Sequence, residues 1–185
     1  MIRREMTRSS YTTIACLLLL FVTAACSTPV RNPAAESSTA TPPLAEDKRI
    51  ASVNVVKAAP QPVELVAGGS AEAHVRLAIQ SGYHINANPP TYPYLIATAL
   101  EISPADGVSL GFVTYPKALS RKFVFAEKPL AVYEGETEVR ATLQADKSAK
   151  QGQQSLAARL RIQACDEQVC YPPGTLDLRI PVTIK

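Results

Sequence analysis

Leu156-Ala157-Ala158-Arg159-Leu160-Arg161-Ile162-Gln163-Ala164 alternates apolar and polar positions and then runs into Cys165-Asp166-Glu167-Gln168-Val169-Cys170-Tyr171-Pro172-Pro173. A period of two marks a β-strand with one buried and one wet face. After the turn at Pro172-Pro173-Gly174 the pattern resumes, with Leu176, Leu178, Ile180, Val182 and Ile184 set against Asp177, Arg179, Pro181 and Thr183. Proline cannot donate to a sheet ladder, so Pro181 marks an edge or a bulge in this last strand. The two cysteines therefore lie in or beside the connection between two consecutive strands.

Moving outward, Ala71, Ala73, Val75, Leu77 and Ile79 alternate with Glu72, His74, Arg76, Ala78 and Gln80. Further strands are expected at Val53–Val56, Val63–Val66, Tyr94–Ile102, Val108–Tyr115, Leu130–Tyr133 and Glu136–Leu143. Turn residues separate them at Gly68-Gly69, Ser81-Gly82, Asn88-Pro89-Pro90, Asp106-Gly107 and Gly135. No long amphipathic helix is visible, and Asp146 to Gln154 offers at most a turn of one. Eight or so short strands with closely spaced turns predict an all-β antiparallel sandwich of the immunoglobulin type, with a small barrel as the alternative.

The rest of the chain reads as an address and a tether. Arg3, Arg4 and Arg8 precede an apolar run of nine residues, Ile14 to Val22, and the small residues Thr23, Ala24 and Ala25. This is the order of a secretory signal peptide over residues 1–25, and the run is far shorter than the roughly 20 residues of a membrane-spanning helix. Thr23-Ala24-Ala25-Cys26 resembles a bacterial lipobox, with Thr23 where Leu is usual. That resemblance implies lipidation of Cys26 and a membrane anchor, since each buried CH₂ of an acyl chain is worth about 0.8 kcal/mol. Ser27 after the cysteine points to the outer membrane. Cleavage by an ordinary signal peptidase, leaving a free thiol, is the other reading. Residues 26–49, with Pro29, Pro33, Pro42 and Pro43 among Ser, Thr and Ala, read as a flexible tether, and residues 50–185 as the β-domain.

Composition sets the outer limits. With 46% hydrophobic and 19% charged residues the 185-residue chain is neither wholly disordered nor collagen-like. Removing residues 1–25, which hold three Arg and one Glu, takes the net charge from +3 to +1 over the remaining 160 residues. The longest basic cluster, Arg121-Lys122, is far too small for nucleic-acid binding.

Three readings of Cys165 and Cys170 compete. A structural disulfide is feasible across four intervening residues in an exported domain, but a loop so short makes a weak staple. A metal site would need further ligands, and His74 and His84 are distant in sequence, so no metal is expected. A redox-active pair is the third reading, since exposed disulfides in short loops are the ones that exchange. Asp166 and Glu167 would raise neighbouring thiol pKa values and keep such a thiol quiet until a partner docks. Spacing alone leaves the structural and redox readings even.

The words around the pair say more. Ile162 to Pro173 resembles the active-site segment of the N-terminal periplasmic domain family of the thiol:disulfide interchange protein DsbD. Ser81-Gly82-Tyr83-His84-Ile85-Asn86-Ala87-Asn88-Pro89-Pro90 and Val132-Tyr133-Glu134-Gly135-Glu136 resemble two other segments of that family, in family order, and the similarity covers roughly Pro62 to Lys185. The resemblance implies an immunoglobulin-like domain on the periplasmic side of a bacterial membrane. It implies thiol:disulfide exchange without a cofactor, as a protein-disulfide reductase, passing reducing equivalents to thioredoxin-fold partners. In that reading Cys170 forms the mixed disulfide and Cys165 resolves it. The family's cap loop maps to roughly Arg121 to Pro129, where Phe125 is the expected shield, Phe123 is a second shielding or docking candidate, and core packing is expected of at least one of the two. Two departures stand out: well-studied members have one more residue between the cysteines, and their cap is acidic where this one carries basic residues. Membrane and thioredoxin-like domains are not in this sequence, so a separate membrane electron donor is expected. The alternative function is a non-catalytic scaffold module with a structural disulfide.

Among the other side chains, Tyr171 is the expected docking residue, beside Tyr92 and Tyr94. His84 is expected to fix a strand and turn, and His74 to be solvated on a polar face.

Overall fold

In the computed structural model, residues 50–185 are described; the expected signal peptide, the lipidation of Cys26 and the whole tether lie outside them. A 3₁₀ turn, Ser52–Val55, opens the domain. Two large sheets follow. The first pairs β1 (Val56–Pro60), β3 (Ser70–Ile79), β9 (Glu136–Ala145) and β6 (Val108–Thr114) in that spatial order. The second runs β2 (Val63–Leu65), β12 (Gly174–Ile184), β10 (Gly152–Ile162) and β5 (Ala99–Ile102). Every pairing is antiparallel except β2 with β12. The expected all-β immunoglobulin-like sandwich is the fold.

The core is the set of alternating positions. Ala73, Val75 and Leu77 of β3, Val139, Ala141 and Leu143 of β9, and Leu156, Leu160 and Ile162 of β10 are all buried. Their burial is the main stabilising term, about 25 cal/mol for each Å² of apolar surface removed from water. Pro181 behaves as its chemistry requires. β12 has only β10 beside it up to Pro181, and gains β2 as a second neighbour at Val182. Asp106-Gly107 turns the chain with φ of 49° and 78°, the positive pair that a tight type I′ turn demands.

Several expectations shift. Val53–Val56 is not a strand: Ser52–Val55 winds into the 3₁₀ turn and β1 begins at Val56. Tyr94–Ile102 is a strand only from Ala99, because the chain before it is held by side chains and not by a ladder. His74 is on the wet face, yet its Nδ1 lies 2.8 Å from Glu138 Oε1 across β3 and β9.

The largest difference is a third, small sheet. It runs β11 (Ala164–Cys165), β4 (His84–Asn86), β8 (Leu130–Tyr133) and β7 (Leu119–Arg121). Of these only β8 is readable in the sequence. Leu130, Val132 and Phe123 form a separate small core beneath it, lined by Tyr92, Leu95 and Ala126.

Candidate active site at the Cys165–Cys170 hairpin

β10 ends at Ile162, and after Gln163 the chain re-enters pairing as β11, so Cys165 is delivered to the small sheet and not to the sandwich. Cys165 is fully buried, whereas Cys170 is half-buried. The two form a disulfide with Cα atoms 3.9 Å apart, as the paired residues of a tight hairpin.

Hydrogen bonds fix this hairpin on every side. Asp166 N–H donates to the Val169 carbonyl at 2.9 Å, and Tyr171 N–H to the Ala164 carbonyl at 2.8 Å. The Asp166 carboxylate caps the turn, with Oδ1 accepting from the N–H groups of Gln168 (2.7 Å) and Val169 (2.8 Å). Its other oxygen accepts from the Tyr171 hydroxyl at 2.5 Å. That hydroxyl holds the Asp166 carboxyl below its ordinary pKa, helped by the two N–H groups and by His84 against the opposing effect of desolvation. Reciprocally, the Asp166 carboxylate pushes the Tyr171 phenol up to about 12. Hydrogen bonds to a charged form favour that form.

Two residues from elsewhere hold the hairpin at its base. Ser52 Oγ accepts from the Ala164 N–H at 3.0 Å and donates to the Pro172 carbonyl at 2.6 Å. Gln163 Nε2 donates to the Tyr171 carbonyl at 3.2 Å, while its Oε1 accepts from Asn86 Nδ2 and from the Ile96 N–H. Neither contact was legible in the sequence: Ser52 sits 112 residues from Ala164 and belongs to no motif.

The cap loop joins β7 to β8. Lys122 Nζ donates to the carbonyls of Ala126 (2.8 Å) and Glu127 (2.5 Å), tying the loop on itself. Phe123 and Phe125 part company here. Phe123 is buried, stacked on the His84 ring at a centroid distance of 4.1 Å. Phe125 stacks on Phe123 at 5.4 Å and is 41% exposed. Phe125, Tyr94, Leu95, Ala126, Leu130, Gln168, Val169 and Cys170 line one cavity of about 250 Å³. The structure thus brings Cys170 and Phe125 together and leaves Phe123 underneath. Tyr171 faces Tyr83 at 6.1 Å, and Tyr94, 73% exposed, stacks on Tyr92.

A second, polar cleft of about 610 Å³ opens on the other side of His84, between Ser81–Tyr83, Ser120–Phe123, Glu134 and Glu167. Arg121 and Glu134 close part of it with a forked ion pair, Nη2 to Oε2 2.6 Å and Nε to Oε1 3.0 Å. His84 is buried, and burial pulls its pKa below the ordinary 6.5; Arg121 adds to this, while Glu134 and Asp166 oppose it.

Arranged this way, the site presents one half-buried cysteine in a cavity shared with a partly exposed aromatic ring, and one fully buried cysteine. That asymmetry suits thiol:disulfide exchange, in which one sulfur is attacked from outside and the other closes the ring.

Comparison with known proteins agrees on the family. The family described as "Thiol:disulfide interchange protein DsbD, N-terminal" matches residues 52–180. Among solved structures, the reduced Neisseria meningitidis DsbD N-terminal domain is 23% identical, with a TM-score of 0.41 over 63% of this chain and 82% of that one. The N-terminal periplasmic domain of ScsB from Proteus mirabilis is 12% identical, with a TM-score of 0.46 over 68% of this chain and 44% of that one. No curated protein matches the chain. Its cysteine pair is at bonding distance, and the match spans well over half of the sequence. The chain belongs to the DsbD N-terminal domain family of thiol:disulfide interchange proteins.

Proposed function

We propose that this protein is a periplasmic, lipid-anchored redox domain that passes reducing equivalents through Cys165 and Cys170 to thioredoxin-fold partners. The observation that carries the reading is the unequal burial of the two cysteines: Cys165 is sealed in the small sheet, while Cys170 is half-buried and lines a cavity with the partly exposed Phe125. This supports Cys170 as the cysteine that attacks a partner.

In the reduced protein, the Cys170 thiolate attacks a partner disulfide. A Cys170–partner bond forms and one partner sulfur leaves as thiolate. Cys165 then attacks Cys170, the internal disulfide closes, and the second partner sulfur leaves. Two electrons pass to the partner, whose two thiolates take up the two protons released by the dithiol. Phe125 shields Cys170 until docking displaces it, and Tyr171 and Tyr94 present aromatic surface of the kind that interfaces favour. A thioredoxin-like donor fed by a membrane electron carrier restores the dithiol. Cys26, acylated, holds the domain at the outer membrane.

Thiol trapping of Cys165→Ala in the exported compartment tests the relay. The variant should accumulate a mixed disulfide through Cys170 with a thioredoxin-fold protein. A Cys165→Ala variant that collects no adduct, together with a wild-type pair that never appears reduced, would leave only the structural disulfide. Cys26→Ala should move the protein from the membrane to the soluble fraction.

A further inference from the structure

β11 and β4 are paired so that Cys165 stands directly opposite His84. Directly opposed residues of an antiparallel pair project from the same face, with Cβ atoms about 4.5–5.5 Å apart. Both side chains are buried, Cys165 completely and His84 at 2% exposure. His84 Nε2 is moreover a buried nitrogen without a hydrogen-bond partner. A buried polar atom left unpaired costs about 1–3 kcal/mol, and such an exception calls for a reason. The disulfide supplies one. In the oxidised state the Cys165 sulfur carries no proton; on reduction it becomes an S–H on the same face of the sheet as the imidazole.

We infer that His84 is the proton acceptor for Cys165, generating the thiolate that resolves the mixed disulfide. This rests on the exchange reading above. The step balances as follows. Neutral His84 takes the proton of the Cys165 thiol, and the Cys165 thiolate forms a bond to Cys170 Sγ. The Cys170–partner bond breaks, and the partner thiolate leaves and recovers a proton from the imidazolium or from solvent. The electron pair that leaves Cys165 reduces the partner's sulfur. A buried thiol needs such help, because an apolar setting disfavours the thiolate. A nucleophile beside a base that is itself held in place is the general arrangement for activation, and the ring of His84 is held by its stack on Phe123.

The groups that face His84 are compatible with this role. Glu134 follows β8, Arg121 ends β7, and Asp166 belongs to the hairpin. Lys122, Glu167 and Tyr83 border the same cleft. Burial, the dominant influence, keeps the ring neutral at pH 7 and able to accept a proton. Sequence reading assigned His84 only a structural part, because Cys165 lies 81 positions away and nothing in the sequence sets them opposite each other.

The test follows both sulfurs with one reagent. Reduced protein mixed with excess 5,5′-dithiobis(2-nitrobenzoate) should release one thionitrobenzoate when Cys170 reacts and a second when Cys165 resolves the adduct, giving two phases at 412 nm. In wild type the second-phase rate should be level between the His84 and thiol pKa values and fall only as His84 protonates, below pH 6.5. The His84 ring-proton titration by NMR fixes that point independently, with His74 as the only other histidine. In His84→Phe, which keeps a ring on Phe123, and in His84→Gln, the second phase should slow by roughly tenfold or more at pH 7. It should then fall about tenfold per pH unit below the thiol range, with the first phase unchanged. A wild-type second phase that already falls tenfold per unit from the thiol pKa, with no plateau, overturns the inference without need of any variant. So does a second phase within twofold of wild type in a folded variant. Failure of the exchange reading looks different: the wild-type pair would resist mild reductant, or release no second thionitrobenzoate at any pH.

Discussion

Four strands of ten or eleven residues, β3, β9, β10 and β12, build the sandwich, while no strand of the small sheet exceeds four residues. The long strands bury every second side chain in one continuous core, and their ladders need no help from side chains. The small sheet carries a burial pattern without alternation: His84, Ile85 and Asn86 are all buried. It is held instead by Ser52, Gln163, Asn86 and Thr98, whose side chains bond to backbone. The difference is one of purpose as well as of means. A core built on area is stable but indifferent to small displacements. A site built on directed hydrogen bonds fixes the cysteine hairpin at a defined position, and has less apolar burial to lose on local opening.

That contrast is open to direct attack. Leu160 lies near the end of β10, between Leu176 and Leu100 on its two neighbours, and is completely buried. Leu160→Ala should lower stability by about 2–5 kcal/mol, seen as a shifted urea midpoint for the entire domain. Ser52→Ala should cost about 1–3 kcal/mol, since it strands the Ala164 N–H in a fully buried setting. Its distinguishing mark should be faster hydrogen exchange confined to the cysteine hairpin and β4. Exchange that rises equally through β10 and β12 would mean that the two regions are one cooperative unit. Phe125→Ala should change stability by less than about 1 kcal/mol, yet, if the ring shields Cys170 as proposed, iodoacetamide should alkylate reduced Cys170 roughly severalfold faster.

The smallest effect concerns Asp166. Its folded pKa lies below the ordinary 3.8, mainly because the Tyr171 hydroxyl bonds the charged form. A depressed carboxyl pKa contributes stability that is present above the unfolded value and lost as pH falls through the folded one. The stability gap between wild type and Asp166→Asn should therefore be constant from pH 7 to about 4 and close below pH 3.8. Urea midpoints over that range check it; a gap unchanged at pH 2 would show that the Asp166 charge is irrelevant to the hairpin.

The sandwich was legible because period-two burial over nine or more residues leaves a mark no other element makes. Tyr94–Ile102 shows how that reading overreaches: its first half is apolar enough for a strand, but Ile96 donates to the Gln163 side chain instead of to a neighbouring ladder. The short strands β4, β7 and β11 were missed because two or three residues carry no period at all. The cysteine segment was recognisable as words, and Cys165, Cys170 and Tyr171 were named from it, with Phe125 named from the cap loop. Ser52 and the pairing of His84 with Cys165 were not.

By itself, then, the sequence determined the fold class, the family and which two cysteines the domain brings together, because hydrophobic alternation and a local motif are written in consecutive residues. Tertiary structure alone decided which cysteine is sealed and which lines a cavity, which phenylalanine is buried and which is partly exposed, and that a histidine is paired in register with the buried cysteine. Those facts depend on strand register between segments far apart in the chain, and register is set by the packing of the whole domain.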